Sequence, residues 1–138
     1  VLAPNKIILH ASATRPEWLE RESLMSQAQE IESWHLARKF SGIGYHFLIG
    51  RFNGEILAAR PLWRQGAHCR DSSQNRHSIG VCLIGGYGGQ STDKFSHHFT
   101  EEQYLAVQEL QTRFRLPLFG HNEFSSKACP CFNVKVTF

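Results

Sequence analysis

The chain has 138 residues, which suits one domain of the common ~100–150-residue size and is long enough to bury a single core without metal or disulfide support. Hydrophobic residues make up 41% and charged residues 20%, too apolar for intrinsic disorder, and no stretch approaches the ~20 consecutive apolar residues of a membrane helix. The net charge is +3, from 15 Lys and Arg against 12 Asp and Glu; this favours anionic partners in general, but no basic run forms a nucleic-acid arm, so no specific nucleic acid is expected.

The segment NKIILH (5–10) is rich in β-branched residues and reads as a strand. A polar break containing Pro16 follows. Over 22–40, Leu24, Ala28, Ile31, Trp34 and Ala37 recur at helical spacing, predicting an amphipathic helix that stops at Ser41-Gly42. IGYHFLIG (43–50) reads as a buried strand, Asn53-Gly54 as a tight turn, and EILAAR as the hairpin partner. Residues 61–76 are polar and irregular apart from Leu62-Trp63, and HSIGVCLIGG (77–86) is a third core strand ended by paired glycines. After a loop, Thr100 and Gln103 have the spacing of a capping box. The helix behind it is expected to reach about Arg115, with Tyr104, Val107, Leu110 and Phe114 on one face. LFGH (118–121) reads as a short strand, NEFSSKACPCF as loop and NVKVTF as tail. This order predicts a single α/β domain over 1–138, with a central mixed β-sheet flanked by α-helices.

Eight histidines and four cysteines stand out at this length. The start VLAPNKIILH lacks a basic stretch followed by a long apolar run, so synthesis in the cytoplasm without a signal peptide is expected, and the opening Val is expected to mark a trimmed start. In that compartment a cysteine is better read as metal ligand or core filler than as half of a disulfide. His10 and His121 end core strands, and Cys129 lies eight residues past His121 in a loop able to fold back. Two imidazoles and a thiolate would make a three-ligand zinc site with a fourth position open to water, the catalytic arrangement. Spacing alone leaves the plainer alternative open: two strand-end histidines and a buried thiol. Elsewhere the plainer reading leads. His35 reads as a packing residue, His97 and His98 as a solvated pair, Cys82 as an inert core thiol, Cys69 as a free thiol, and the glycine pairs after 84 as a turn, while Tyr45 and His46 alternate on a strand so that only one of them can face a site.

Six blocks carry a resemblance: ILHASAT (8–14), GIGYHFLIGRFNGEI (42–56), GAHC (66–69), HSIGVCLIGG (77–86), FTEEQ (99–103) and GHNEFSSKACPCF (120–132). In content, order and spacing the chain resembles the type-2 N-acetylmuramoyl-L-alanine amidases, in particular the small zinc amidases of T-odd coliphages, which are related to peptidoglycan-recognition proteins. The resemblance implies Zn2+ held by His10, His121 and Cys129, catalytic roles for Tyr45 and Lys127, and a substrate-binding place for His68 at the edge of a groove. Cys131 stands where a serine is more usual. The implied reaction is hydrolysis of the amide joining N-acetylmuramic acid to L-alanine of the peptidoglycan stem. Lys127 would stabilise the oxyanion. Tyr45 would orient or deprotonate the water, or bond the intermediate, and either residue could protonate the leaving amine. The implied setting is a phage or prophage endolysin, monomeric and without a membrane partner, that reaches the wall from the periplasm. The alternative is a non-catalytic peptidoglycan-binding module of the same fold. Such relatives typically lose the cysteine ligand, whereas Cys129 is present. Coliphage members also bind the phage RNA polymerase, through an N-terminal segment expected to be short or absent here, so the sequence does not support that partner.

Overall fold

A computed structural model describes residues 3–18 and 20–138. Strand β1 (Lys6–Ala11) lies inside a five-stranded sheet of order β3-β2-β4-β1-β5. It pairs in parallel with β4 (Ser78–Leu83) on one side and β5 (Leu118–Gly120) on the other. Strand β2 (Phe47–Ile49) runs parallel to β4, and β3 (Ile56–Ala58) closes that edge as the antiparallel hairpin partner of β2. The sheet is therefore mixed, as expected. Buried on both faces, β1 and β4 read as nearly continuous apolar runs rather than alternating ones.

Alternation along the strands divides the interior in two. Ile7, Leu9 and Ala11 of β1 join Ile79, Val81 and Leu83 of β4 in a cluster with Val107, Leu110, Phe132 and Val134. Each Val, Leu, Ile or Phe among them contributes roughly 1.5–3 kcal/mol on burial. Helix α3 (Glu101–Phe114) covers this face. Its capping box forms as the sequence predicts, and Gln103 does more: fully buried, its Nε2 donates to the carbonyls of Ile49 and Ile84. The opposite face packs Leu48 and Cys82 against Leu24, Ala28 and Ile31 of helix α1 (Leu24–Ala37). His10, the register partner of Cys82, has the opposite parity to the Ile7, Leu9 and Ala11 set and points to this second side.

Local differences from the sequence reading have local causes. Helix α1 ends before Gly42, because Lys39 takes the left-handed conformation (φ 67°) and turns the chain first. Strand β2 is three residues rather than eight, because the N–H of Gly44 is taken by a histidine side chain and its carbonyl by the N–H of Ala67. The polar stretch 61–76 contains a short helix α2 (Ser72–Asn75), capped by Asp71, whose Oδ1 accepts from the N–H of Ser73 at 3.0 Å. The tail forms α4 (Val134–Thr137), capped by Asn133, and single 3-10 turns occupy Phe95–His97 and His121–Glu123. All four cysteines are free thiols.

Candidate metal and active site

The second side of the sheet brings three distant segments together. His10 comes from β1, His121 follows β5 at once, and Cys129 sits on the loop that returns from it. One nitrogen of each imidazole and the Cys129 Sγ all lie within 4.8 Å of one another. The ring centroids of His10 and His121 are 4.5 Å apart, and Nδ1 of His10 faces Cys129 Sγ at 3.9 Å. The loop carrying Cys129 is anchored from β1: the N–H of Ala11 donates to Cys129 Sγ at 3.2 Å. Loop 12–14 is fixed in turn by Ser12, whose Oγ accepts from the N–H of Gly85 at 2.9 Å.

The electrostatics suit a cation. Burial holds the His10 imidazole well below its ordinary pKa, with His68, His121 and His35 adding to the fall, so it is neutral and offers a lone pair. His121 is lowered as well, by burial first and by the Lys127 ammonium second. Burial pushes the Cys129 thiol up to about 12, while the Ala11 N–H and Lys127 pull the other way. A thiolate at this position needs a positive charge beside it. Nδ1 of His121 is buried with no hydrogen-bond partner. An orphaned imidazole nitrogen among a second imidazole and a sulfur is the donor set of a zinc site, so the residues present fit the metal.

Tyr45 precedes β2 and stands 5.3 Å from His10, ring to ring. Burial raises its phenol well above the usual value, and the sulfurs of Cys82 and Cys129 raise it further. Its backbone is set by His35 of α1, whose Nδ1 accepts from the N–H of Gly44 at 2.9 Å. His35 is thus a packing residue, as its position on the helix suggests. So is His46: its Nδ1 accepts from the N–H of Gly80 at 3.0 Å, and its Nε2 lies 2.8 Å from the carbonyl oxygen of Arg64. Lys127 is exposed, on the wall of an open polar cavity of about 420 Å³ that Asn122, Glu123 and Lys135 also line.

His68 is 8% exposed, with its Nδ1 2.8 Å from Nε2 of His10 and its Nε2 3.3 Å from Oγ of Ser78. A second donor group, His10 with His68 and Cys69, shares the His10 ring. There the nitrogens already bond one another, and neither of them is an orphan. Sequence reasoning missed Ser78 and Asn75, because a serine at a strand start and an asparagine in a polar loop carry no signal of their own. Asn75 is buried, accepts from the N–H groups of His68 and Cys69, and donates to the Cys69 carbonyl. His98 is not solvated as expected: its Nε2 lies 2.8 Å from Oδ2 of Asp93, closing the loop before α3.

A family model described as N-acetylmuramoyl-L-alanine amidase matches residues 2–132. The chain is 34% identical over 134 residues to the endolysin of Escherichia phage T7, covering 94% of this chain and 82% of that protein. It is 30% identical over 125 residues to a peptidoglycan-recognition protein of Drosophila melanogaster, covering 90% and 66%. Among solved structures, the N-acetylmuramoyl-L-alanine amidase LysC of Clostridium intestinale superposes with a TM-score of 0.71 at 23% identity, over 98% of this chain and 83% of that one. Wild-type Drosophila PGRP-LB gives 0.73 at 25% identity, over 93% and 75%.

Proposed function

The chain belongs to the N-acetylmuramoyl-L-alanine amidase family and is a peptidoglycan amidase; from that premise we propose that it is a zinc-dependent endolysin. Its single catalytic domain, 1–138, would cleave the amide between N-acetylmuramic acid and L-alanine of the stem peptide. It would be made in the cytoplasm of an infected cell and act on the wall from the periplasm. The observation that carries the reading is the meeting of His10, His121 and Cys129 around the orphaned Nδ1 of His121. Among the described residues, no helix is long and apolar enough to cross a membrane.

His10, His121 and Cys129 would hold the zinc ion. Zinc in such a three-ligand site lowers the pKa of water to about 7 and polarises a carbonyl. The protein's own groups do the rest. Lys127 brings a positive charge to the rim, where the amide oxygen gathers negative charge as its carbon becomes tetrahedral. Tyr45 keeps its phenolic proton at neutral pH, because burial raises its pKa. Its Oη–H is therefore a hydrogen-bond donor toward the reacting oxygen rather than a base. The leaving nitrogen must gain a proton, which the Lys127 ammonium or the Tyr45 phenol would give.

The test is product chemistry. Zinc-loaded protein is expected to clear permeabilised Gram-negative cells and release stem-peptide amine termini, while Cys129→Ala does neither. Release of reducing sugar ends without new amines would overturn the assignment.

A further inference from the structure

The hydrogen bonds behind His10 have a direction, and one buried hydroxyl sets it. Ser78 opens β4 with its Oγ 2.6 Å from the carbonyl oxygen of Gln74. A carbonyl only accepts, so the single hydroxyl proton of Ser78 is committed there. The same Oγ lies 3.3 Å from Nε2 of His68 and can only accept, so Nε2 of His68 carries a hydrogen. A neutral imidazole has one N–H, which leaves Nδ1 of His68 a bare lone pair. That lone pair faces Nε2 of His10 at 2.8 Å, so Nε2 of His10 is the donor. Nδ1 of His10 then keeps its lone pair on the side of Cys129. The Cys69 sulfur, 3.5 Å from Nδ1 of His68, keeps its proton because burial pushes the thiol up to about 12. It leans on the same lone pair as a second donor and leaves the order unchanged.

The surroundings hold the His68 ring in place. A Cβ on Gly80 or on Gly66 would collide with it, so the ring lies against two bare α-carbons. Asn75 clamps the backbone of His68 from behind. The ring is buried, which disfavours its charged form.

We infer that His68 is a positioning residue: the chain from the Gln74 carbonyl through Ser78 and His68 fixes the tautomer and orientation of His10, presenting Nδ1 of His10 to the metal. The inference rests on the zinc reading above. It differs from substrate contact, because both ring nitrogens of His68 are already engaged by protein groups. Hydrogen bonds behind a ligating histidine are worth about 10–100-fold in metal affinity.

Two measurements test it. In full-length, chelator-stripped protein labelled with 15N-histidine, two-bond 15N–1H spectra are expected to show His10 and His68 protonated on Nε2 and bare on Nδ1. A proton on Nδ1 of either residue overturns the inference and leaves the zinc proposal standing. Zinc affinity by chelator competition separates position from bulk. His68→Asn sets an amide oxygen where Nδ1 sits and should stay close to wild type. His68→Leu removes the acceptor and should lose about 10–100-fold, and Ser78→Ala should lose less. Equal affinities for the Asn and Leu variants overturn the positioning role. A wild-type protein that binds no zinc overturns the zinc reading itself. Should His68→Leu fail to fold by circular dichroism, the wild-type spectrum decides.

Discussion

The N–H of Ala11 donates to the sulfur of Cys129 across 3.2 Å, joining residues 118 positions apart in the chain. The bond ties the C-terminal ligand loop to the end of β1 and partly offsets the rise that burial imposes on the thiol. Cys129→Ala should therefore lose stoichiometric zinc. It should also leave the Ala11 N–H without its acceptor, at a cost of about 1–3 kcal/mol. Cys131→Ser should keep the metal, because the Cys131 thiol is already engaged with the Gly86 carbonyl at 3.3 Å. Metal analysis after gel filtration checks both, and retention of zinc by Cys129→Ala would remove this residue from the ligand set.

Zinc should stabilise the folded chain by mass action. At free zinc 1,000 times its dissociation constant the gain is about 4 kcal/mol. Chelator treatment should lower the melting temperature, and added zinc should restore it. An unchanged melting temperature after verified metal removal would show that the donor set does not grip the ion in the native state.

Gln103 is a fully buried polar side chain with three hydrogen bonds to backbone groups. It completes the cap of α3 and bonds the carbonyls at the ends of β2 and β4. Gln103→Leu should destabilise by about 3 kcal/mol, because two buried carbonyls lose their donor. Thr100→Ala, which loses the cap bond from the Gln103 N–H and the bond its hydroxyl donates to the Arg51 carbonyl, should cost about 1–2 kcal/mol. Urea midpoints distinguish the two, and equal midpoints would mean that the strand-end bonds contribute little.

Gly44 is set against the backbone of Ala67, where an added Cβ would overlap the Ala67 carbonyl. Its N–H also serves His35, and Tyr45 follows it directly. Gly44→Ala should cost about 1–3 kcal/mol through overpacking and reduce turnover by displacing Tyr45. Normal turnover at full zinc loading would separate Tyr45 from the reaction.

The pH response has a definite sign. His10, His35, His46, His68 and His121 are all held below their ordinary value, chiefly by burial. The unfolded chain therefore binds more protons. The stability these residues contribute is full above about pH 6.5 and is lost as pH falls through their folded values, which for His68 is about 3. Each contributes a slope of about 1.4 kcal/mol per pH unit within its own window. Metal-free protein should thus lose stability steeply as pH falls below about 6.5. A flat urea midpoint over that range would contradict the buried neutral imidazoles.

Much of the scaffold is legible in the residues themselves. The periodicity of Leu24, Ala28 and Ile31 marks α1, Thr100 and Gln103 mark the start of α3, and Asn53-Gly54 marks the hairpin. These signals are local, and local energetics decide them. Helix α2 escapes such reading because four residues are too few for any period, leaving only the Asp71 cap to show it. The ligand set is different in kind. Nothing near His10 announces Cys129, and their meeting follows from the sheet order and the loop after β5. Their places at two strand ends and on a return loop allow a three-donor set, and the resemblance selects it over the plainer alternative. The resemblance also puts His68 at a groove edge, and sequence similarity reports that a residue type recurs, not which way its hydrogen bonds run.

A sheet that seats β5 beside β1 has a consequence for timing. A nascent chain presents His10 early, then must add more than a hundred residues before His121 and Cys129 emerge to join it. No translation product that stops short of Cys129 holds all three donors, so the set comes together only after synthesis has passed residue 129.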